Sequence, residues 1–251
     1  MLQQMDSYYG SDLAWVHHSG YSQHVENTAQ GIVRLLRDGG LPKGAHVLDV
    51  GCGSGLLARR LLDAAFVVTG IDASPAMIDL ARSYAPGADF KVLRLPTNSS
   101  ARHAVLPEID AVVSTGHVLN YLDTREDIAR TLDELARALR PGGVVAIDLM
   151  TEQYRQKRDA QPVHAKVTDD WVIVTRFSCP GPYRFDRAIT VFRRAGDHWR
   201  RSDEHHRNLT FDPEDALRIL RDNGIEARQR TAFGEETLPE GLIVLAGVRR
   251  L

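Results

Sequence analysis

Val47-Leu48-Asp49-Val50-Gly51-Cys52-Gly53-Ser54-Gly55 decides how the rest of the chain is read. It runs as a buried strand onto an acid and then into three glycines at alternate positions, and a helix-like run, Leu56 to Ala64, follows at once. Strand, turn and helix in this order form the first half of a nucleotide-binding crevice. Glycine suits the turn because it tolerates positive φ and lets a ligand approach the backbone closely. Downstream, Phe66 to Ile71 is a continuous apolar run ending on Asp72, 17 residues past Gly55. Continuous apolarity fits a parallel strand buried on both faces. Asp72 then brings a carboxylate beside the turn, where it can accept bonds from both hydroxyls of a ribose.

The acid before the turn narrows the ligand. A dinucleotide fingerprint has the spacing G-x-G-x-x-G and receives a pyrophosphate at a helix N-terminus. Here the spacing is Gly51-x-Gly53-x-Gly55, preceded by Asp49. A carboxylate at that place repels phosphate and suits a cationic amino group. That favours S-adenosylmethionine, which carries ammonium and sulfonium charges, over NAD.

The flanking sequence repeats the alternation of strand and helix. Upstream, Val25, Ala29, Ile32, Val33 and Leu36 share one helical face that stops at Gly39-Gly40. Downstream, Ser74-Pro75 supplies an N-cap and a first-turn proline for a helix carrying Met77, Ile78 and Ala81. Strands are expected at Asp89 to Leu95, Ile109 to Ser114 and Val144 to Leu149, with a long helix opened by Thr124 and Asp127 in capping-box spacing. The pattern predicts an α/β fold with a doubly wound, mostly parallel sheet. From about Val163 to Leu209 strand-like runs follow one another without helices, which predicts a small antiparallel β insertion after the fifth strand. Asp212-Pro213 starts a last helix, and the C-terminus offers a hairpin, Ile225 to Phe233 with Leu242 to Val248. The expected organisation is a core of residues 1–150 and 210–251, a lid at about 1–24, and an inserted subdomain at 151–209 over the acceptor pocket.

Composition sets outer limits. The 251 residues are 43% hydrophobic and 25% charged, ordinary for a globular protein, and the net charge of −2 gives no reason to expect a polyanion. No basic track for nucleic acid is present, no apolar run nears the ~20 residues of a membrane span, and Met1 to Tyr9 lacks the pattern of a signal peptide. Cys52 and Cys179 have no metal-ligand spacing, and a reduced, cytoplasmic location fits. The adjacent pairs His17-His18 and His205-His206 point in different directions on a regular element. No metal is expected.

Asp49-Val50-Gly51-Cys52-Gly53-Ser54-Gly55 resembles motif I of class I S-adenosylmethionine-dependent methyltransferases. Gly70-Ile71-Asp72-Ala73-Ser74-Pro75-Ala76-Met77 resembles their next motif, and Leu139-Arg140-Pro141-Gly142-Gly143 the turn before their fifth strand. The order and spacings also match, with a close likeness over roughly 45–150. The inserted sheet, Glu204-His205-His206-Arg207 and the N-terminal Trp15-x-His17-His18-x-Gly20-Tyr21 look like the small-molecule branch of that family. The fold implied is a seven-stranded, Rossmann-like sheet. The resemblance implies that Asp49, Gly51, Cys52, Gly53 and Gly55 hold the methionine end of the cofactor and Asp72 the ribose. It sets Ala73, Met77, Leu95 and Pro96 near the adenine, and Thr115, Gly116 and His117 beside the transferring methyl. Many members carry an acid after the third strand; here the sequence is Leu95-Pro96-Thr97-Asn98.

Methyl transfer to a nucleophile displaces a neutral thioether, so the departing group needs no acid, and alignment of the acceptor can supply most of the rate. A base is useful where the acceptor must lose a proton. His117 is the first candidate, with Tyr121 and His18 beside it. Trp15, Tyr21, His206 and Arg207 are candidates for the substrate pocket. The expected partner is a small-molecule methyl acceptor with an O or N nucleophile, and the expected assembly a monomer or homodimer. The competing readings are a non-catalytic cofactor-binding module and an NAD-dependent oxidoreductase.

Overall fold

The computed structural model describes residues 8–20, 22–97, 106 and 108–250. In chain order the elements begin α1 (Ser11–Gly20), α2 (Ser22–Asp38), β1 (His46–Val50), α3 (Leu56–Asp63), β2 (Val67–Asp72), α4 (Pro75–Tyr84) and β3 (Asp89–Val92). They continue with β4 (Ile109–Ser114), a 3₁₀ turn (Val118–Tyr121), α5 (Arg125–Ala138), β5 (Leu139–Met150), α6 (Glu152–Asp159) and the strands β6 (Val163–Val167), β7 (Trp171–Gly181), β8 (Arg184–Ala195) and β9 (His198–Leu209). The chain closes with α7 (Pro213–Asp222), β10 (Ile225–Arg230) and β11 (Leu242–Arg249).

Seven strands form one sheet in the order β10-β11-β5-β4-β1-β2-β3, parallel from β5 to β3 and antiparallel at β11 and β10. The strand order reverses where β1 lies between β4 and β2, and a crevice opens there at the carboxyl ends. Val47, Leu48 and Val50 are buried, as a central parallel strand covered on both faces requires. Two apolar layers follow: Ile32, Leu36, Leu57, Leu61 and Ile78 on one side, and Ile128, Leu132, Leu135 and Leu220 on the other. The caps read from sequence are in place. Ser74 Oγ accepts from Met77 N at 3.2 Å, Thr124 Oγ1 from Asp127 N at 3.0 Å, and Asp212 Oδ1 from Glu214 N at 2.8 Å.

A second sheet, β6-β7-β8-β9, is antiparallel throughout and follows the fifth strand. Helix α1 packs on it, with Leu13 and Val16 against Trp171, Ile173, Ile189 and Val191. Burying each of those two helix side chains stabilises this contact by about 1.5–3 kcal/mol.

Three boundaries differ from expectation. Strand β3 ends at Val92, and Leu93 to Leu95 leave the sheet to line the crevice. Strand β5 begins at Leu139 and carries Pro141-Gly142-Gly143 within it, across a register shift against β4. Helix α6 stands between β5 and the antiparallel strands; it is mostly polar and buries only Tyr154, so its apolar signal is weak.

Candidate active site

The glycine turn is held by backbone geometry. Gly51, Gly53 and Gly55 all have positive φ, at 65°, 52° and 81°. A Cβ on Gly51 would meet Val118 at 2.3 Å, because the loop after β4 closes directly over the turn. One on Gly55 would meet the backbone of Ala81 at 3.1 Å, which brings α3 tight against α4.

Three carboxylates gather at the strand ends. Asp72 Oδ2 accepts from Gly53 N at 3.0 Å and Oδ1 from Ser74 N at 2.8 Å. Burial raises its pKa, and these amide bonds oppose the rise. A carboxylate has about four lone-pair positions, so Asp72 retains acceptor capacity towards the crevice it lines. Asp49 is 1% exposed, and its Oδ2 has no hydrogen-bond partner among the described residues. Burial, and then the charge of Asp72, push its pKa up to about 7. An enclosed acid with an unused oxygen is suited to a cation arriving at the turn. It stands behind the glycines, outside the lining of the cavity.

Sequence reasoning missed the third, Asp148 on β5. It is fully buried, and its oxygens accept from Gly116 N at 2.8 Å and His117 N at 2.7 Å. Burial pushes it up to about 7, against those two bonds. The amides it holds belong to two successive left-handed residues, Gly116 at φ 93° and His117 at φ 51°. Asp148 thus fixes the exit of β4. Asn120 fixes the next turn: its Nδ2 donates to the carbonyls of Met150 at 3.1 Å and Leu209 at 2.6 Å, joining the main sheet to the end of β9.

A cavity of about 450 Å³ runs across these strand ends. Gly51, Gly53, Asp72, Ala73, Met77 and Leu95 line one end, and Thr115, Gly116 and Tyr121 lie towards the other. Tyr8, Tyr9 and His17, from the aromatic N-terminal stretch, complete the wall. The segment is tied down at several points. Ser74 Oγ donates to Tyr9 O at 2.8 Å, and Glu204 accepts from Tyr9 N at 2.8 Å and Gly10 N at 2.9 Å. The Tyr9 and Tyr121 hydroxyls lie 2.9 Å apart.

The remaining candidates fall in other places. Cys52 is buried under the turn against the neighbouring strand, its thiol pushed up by burial, and Gly55 sits at the start of α3; neither lines the cavity, nor does Pro96. The His117 ring lies behind the wall, with its centroid 6.2 Å from those of Tyr121 and Tyr154. His206 is enclosed beside Tyr8 and Tyr9, with Nε2 2.7 Å from Glu204 Oε2; burial lowers its pKa and Glu204 opposes this. Arg207, one residue on, is exposed on the opposite face of β9, because side chains alternate along a strand. His18 is taken up in docking α1: its Nδ1 lies 2.8 Å from Ser54 Oγ and its ring packs on Tyr84. Trp15 lies under Arg193, whose guanidinium carbon is 3.9 Å from the ring centroid. His18, Trp15 and Arg207 are all off the cavity wall, and Tyr21 lies outside the described residues. Among the described residues no group of three His, Cys, Asp or Glu side chains could hold a metal, and no helix is long and apolar enough to cross a membrane.

A family model described as a methyltransferase domain matches residues 47–143. The chain is similar to YqeM of Bacillus subtilis (strain 168), whose name marks it provisionally as a methyltransferase. The two are 27% identical over 200 residues, 79% of this chain and 81% of YqeM. A crystal structure of an S-adenosylmethionine-dependent methyltransferase from Clostridium acetobutylicum superposes with a TM-score of 0.77 at 16% identity, covering 95% of this chain and 98% of that one. The sugar N-methyltransferase KedS8 from Streptoalloteichus gives 0.71 at 21% identity, covering 100% and 99%. At such identities the structural likeness speaks for the fold.

Proposed function

We propose that this chain, a class I S-adenosylmethionine-dependent methyltransferase, methylates an oxygen or nitrogen of a small molecule enclosed between the strand ends and the inserted sheet. The observation that carries this reading is the cavity itself. One end is built from glycines and a carboxylate, the other from tyrosines roofed by the N-terminal segment. An enclosed acceptor end suits a small molecule better than a polymer. The sugar N-methyltransferase with the same fold supports that size class.

The residues present fit the donor. Asp49, with its unused buried oxygen, would attract the ammonium through the glycine turn, and Asp72 would accept from the ribose hydroxyls. Ala73, Met77 and Leu95 would flank the adenine, with apolar contact in place of the missing acid. When bound, the donor supplies a methyl group on a positively charged sulfur. The chain's own task is then to align the acceptor with that methyl and exclude water. Gly116, whose amide Asp148 holds, and Thr115 before it would set the position of the attacking atom. Tyr121, which lines the cavity, would receive its proton where one must leave, with the His117 ring packed behind it.

The test is formation of S-adenosylhomocysteine with a panel of small amine, phenol and hydroxyl acceptors. Tyr121→Phe is expected to lower kcat by about a hundredfold for acceptors that must lose a proton, with donor affinity kept. Donor binding without turnover of any acceptor would favour a non-catalytic binding module instead.

A further inference from the structure

We propose that Arg187 recognises an anionic group, a carboxylate or a phosphoryl group, on the methyl acceptor; this rests on the small-molecule reading above. Arg187 is half-buried on β8 and has no acid as partner among the described residues. Its Nε donates to Asn208 Oδ1 at 3.0 Å and its Nη2 to the Tyr121 hydroxyl, and the guanidinium carbon lies 4.9 Å from the Tyr121 ring centroid. Nη1 donates to nothing among those residues.

The other half-buried arginines on this strand are paired. Arg184 meets Asp186 at 2.7 Å, and Arg193 meets Asp12 at 3.3 Å. The acid on the inner face of the neighbouring strand is already committed, since Glu204 accepts from Tyr9 N and Gly10 N and pairs with His206. A guanidinium partly removed from water among aromatic rings carries a desolvation cost that two neutral acceptors offset only in part. An anion would offset the rest, and the planar fork of arginine matches carboxylate and phosphoryl oxygens in two parallel bonds. Arg187 stands just behind the cavity wall: it bonds the hydroxyl of Tyr121, which lines the cavity, so a group that reaches past Tyr121 meets the guanidinium.

The test loads the protein with S-adenosylhomocysteine and titrates it by calorimetry with inorganic phosphate and, separately, benzoate. The wild-type protein is expected to bind at least one, and which one it binds separates a phosphoryl from a carboxylate acceptor. Arg187→Met should weaken that binding tenfold or more, Arg187→Lys should keep part of it, and Arg176→Met, at an exposed arginine of the same sheet, should leave it unchanged. Donor affinity, measured in parallel, should be equal in all four proteins and reports that each is folded. If Arg187→Met does not fold, Arg187→Lys and the wild-type titration still decide. Three results overturn the proposal: neither anion binds, Arg187→Met or Arg176→Met behaves like the other, or Arg187→Met lowers donor affinity. The last would assign the arginine to the donor's own carboxylate. Anion binding without methyl transfer would sink the functional reading and leave this site standing; methyl transfer without anion binding would do the reverse.

Discussion

The two ends of the cleft are built by different means. The donor end consists mostly of local chain: β1, the glycine turn, β2 and the cap of α4 lie within residues 46–77 and are organised by backbone amides on Asp72, with Leu95 added from beyond β3. The proposed acceptor end is assembled from distant parts, the N-terminal tyrosines and the loop after β4, with Tyr9 held by Glu204 of β9 across 195 residues. Backbone geometry gives the first end one fixed ligand shape. Side chains shape the second, so on the proposed reading the acceptor could change while the donor stays the same.

That contrast can be broken most severely at Gly51. Valine there meets Val118 and a φ of 65°, which β-branched residues avoid. The combined strain is of order 3 kcal/mol, and donor binding by calorimetry should fall about a hundredfold. Tyr121→Phe, at the other end, should leave donor affinity unchanged. Asp148→Ala strands the buried Gly116 and His117 amides. With about 1–3 kcal/mol for each lost partner, we expect the urea midpoint to drop and turnover to fall more than donor affinity.

The next effect is a pH dependence of about tenfold. Asp49 has an ordinary carboxylate pKa when unfolded and about 7 when folded, so the folded state holds its proton longer. Its contribution to stability is complete below pH 4 and is lost as pH rises towards 7. A donor ammonium needs the ionised form, so donor affinity should rise between pH 6 and 7.5. Asp49→Asn should flatten that rise. The smallest effect is at β9: Arg207→Ala, on the exposed face, should leave turnover within twofold of wild type, while His206→Ala alters the acceptor KM.

How much of this was legible depended on how local the signal was. The glycine turn, Asp72 and the caps at Ser74, Thr124 and Asp212 depend on neighbours a few residues away, and their spacing displays them. Asp148 looked like one more residue of an apolar strand, because its partners, Gly116 and His117, lie about thirty positions earlier. Arg187 and Glu204 sat among many charges in a region where only general strand character was readable. Pairing with β9 and α1 determines which of those charges face inward. The β9 alternation separates His206 from Arg207, and an alternating pattern can be assigned to a face only once the sheet's partner is known. His18 illustrates the opposite error, a histidine near the site whose ring is used to dock a helix.

The central claim is that the residues around Gly51 and Asp72 bind S-adenosylmethionine independently of the acceptor end. Calorimetric titration of S-adenosylmethionine at pH 7.5 into the wild-type, Asp72→Ala and Tyr121→Phe proteins tests it most directly. The account predicts one site per chain in the wild-type protein, at least a tenfold loss in Asp72→Ala, and no loss in Tyr121→Phe. Undiminished binding in Asp72→Ala, or tight binding of NAD with none of S-adenosylmethionine, would contradict it.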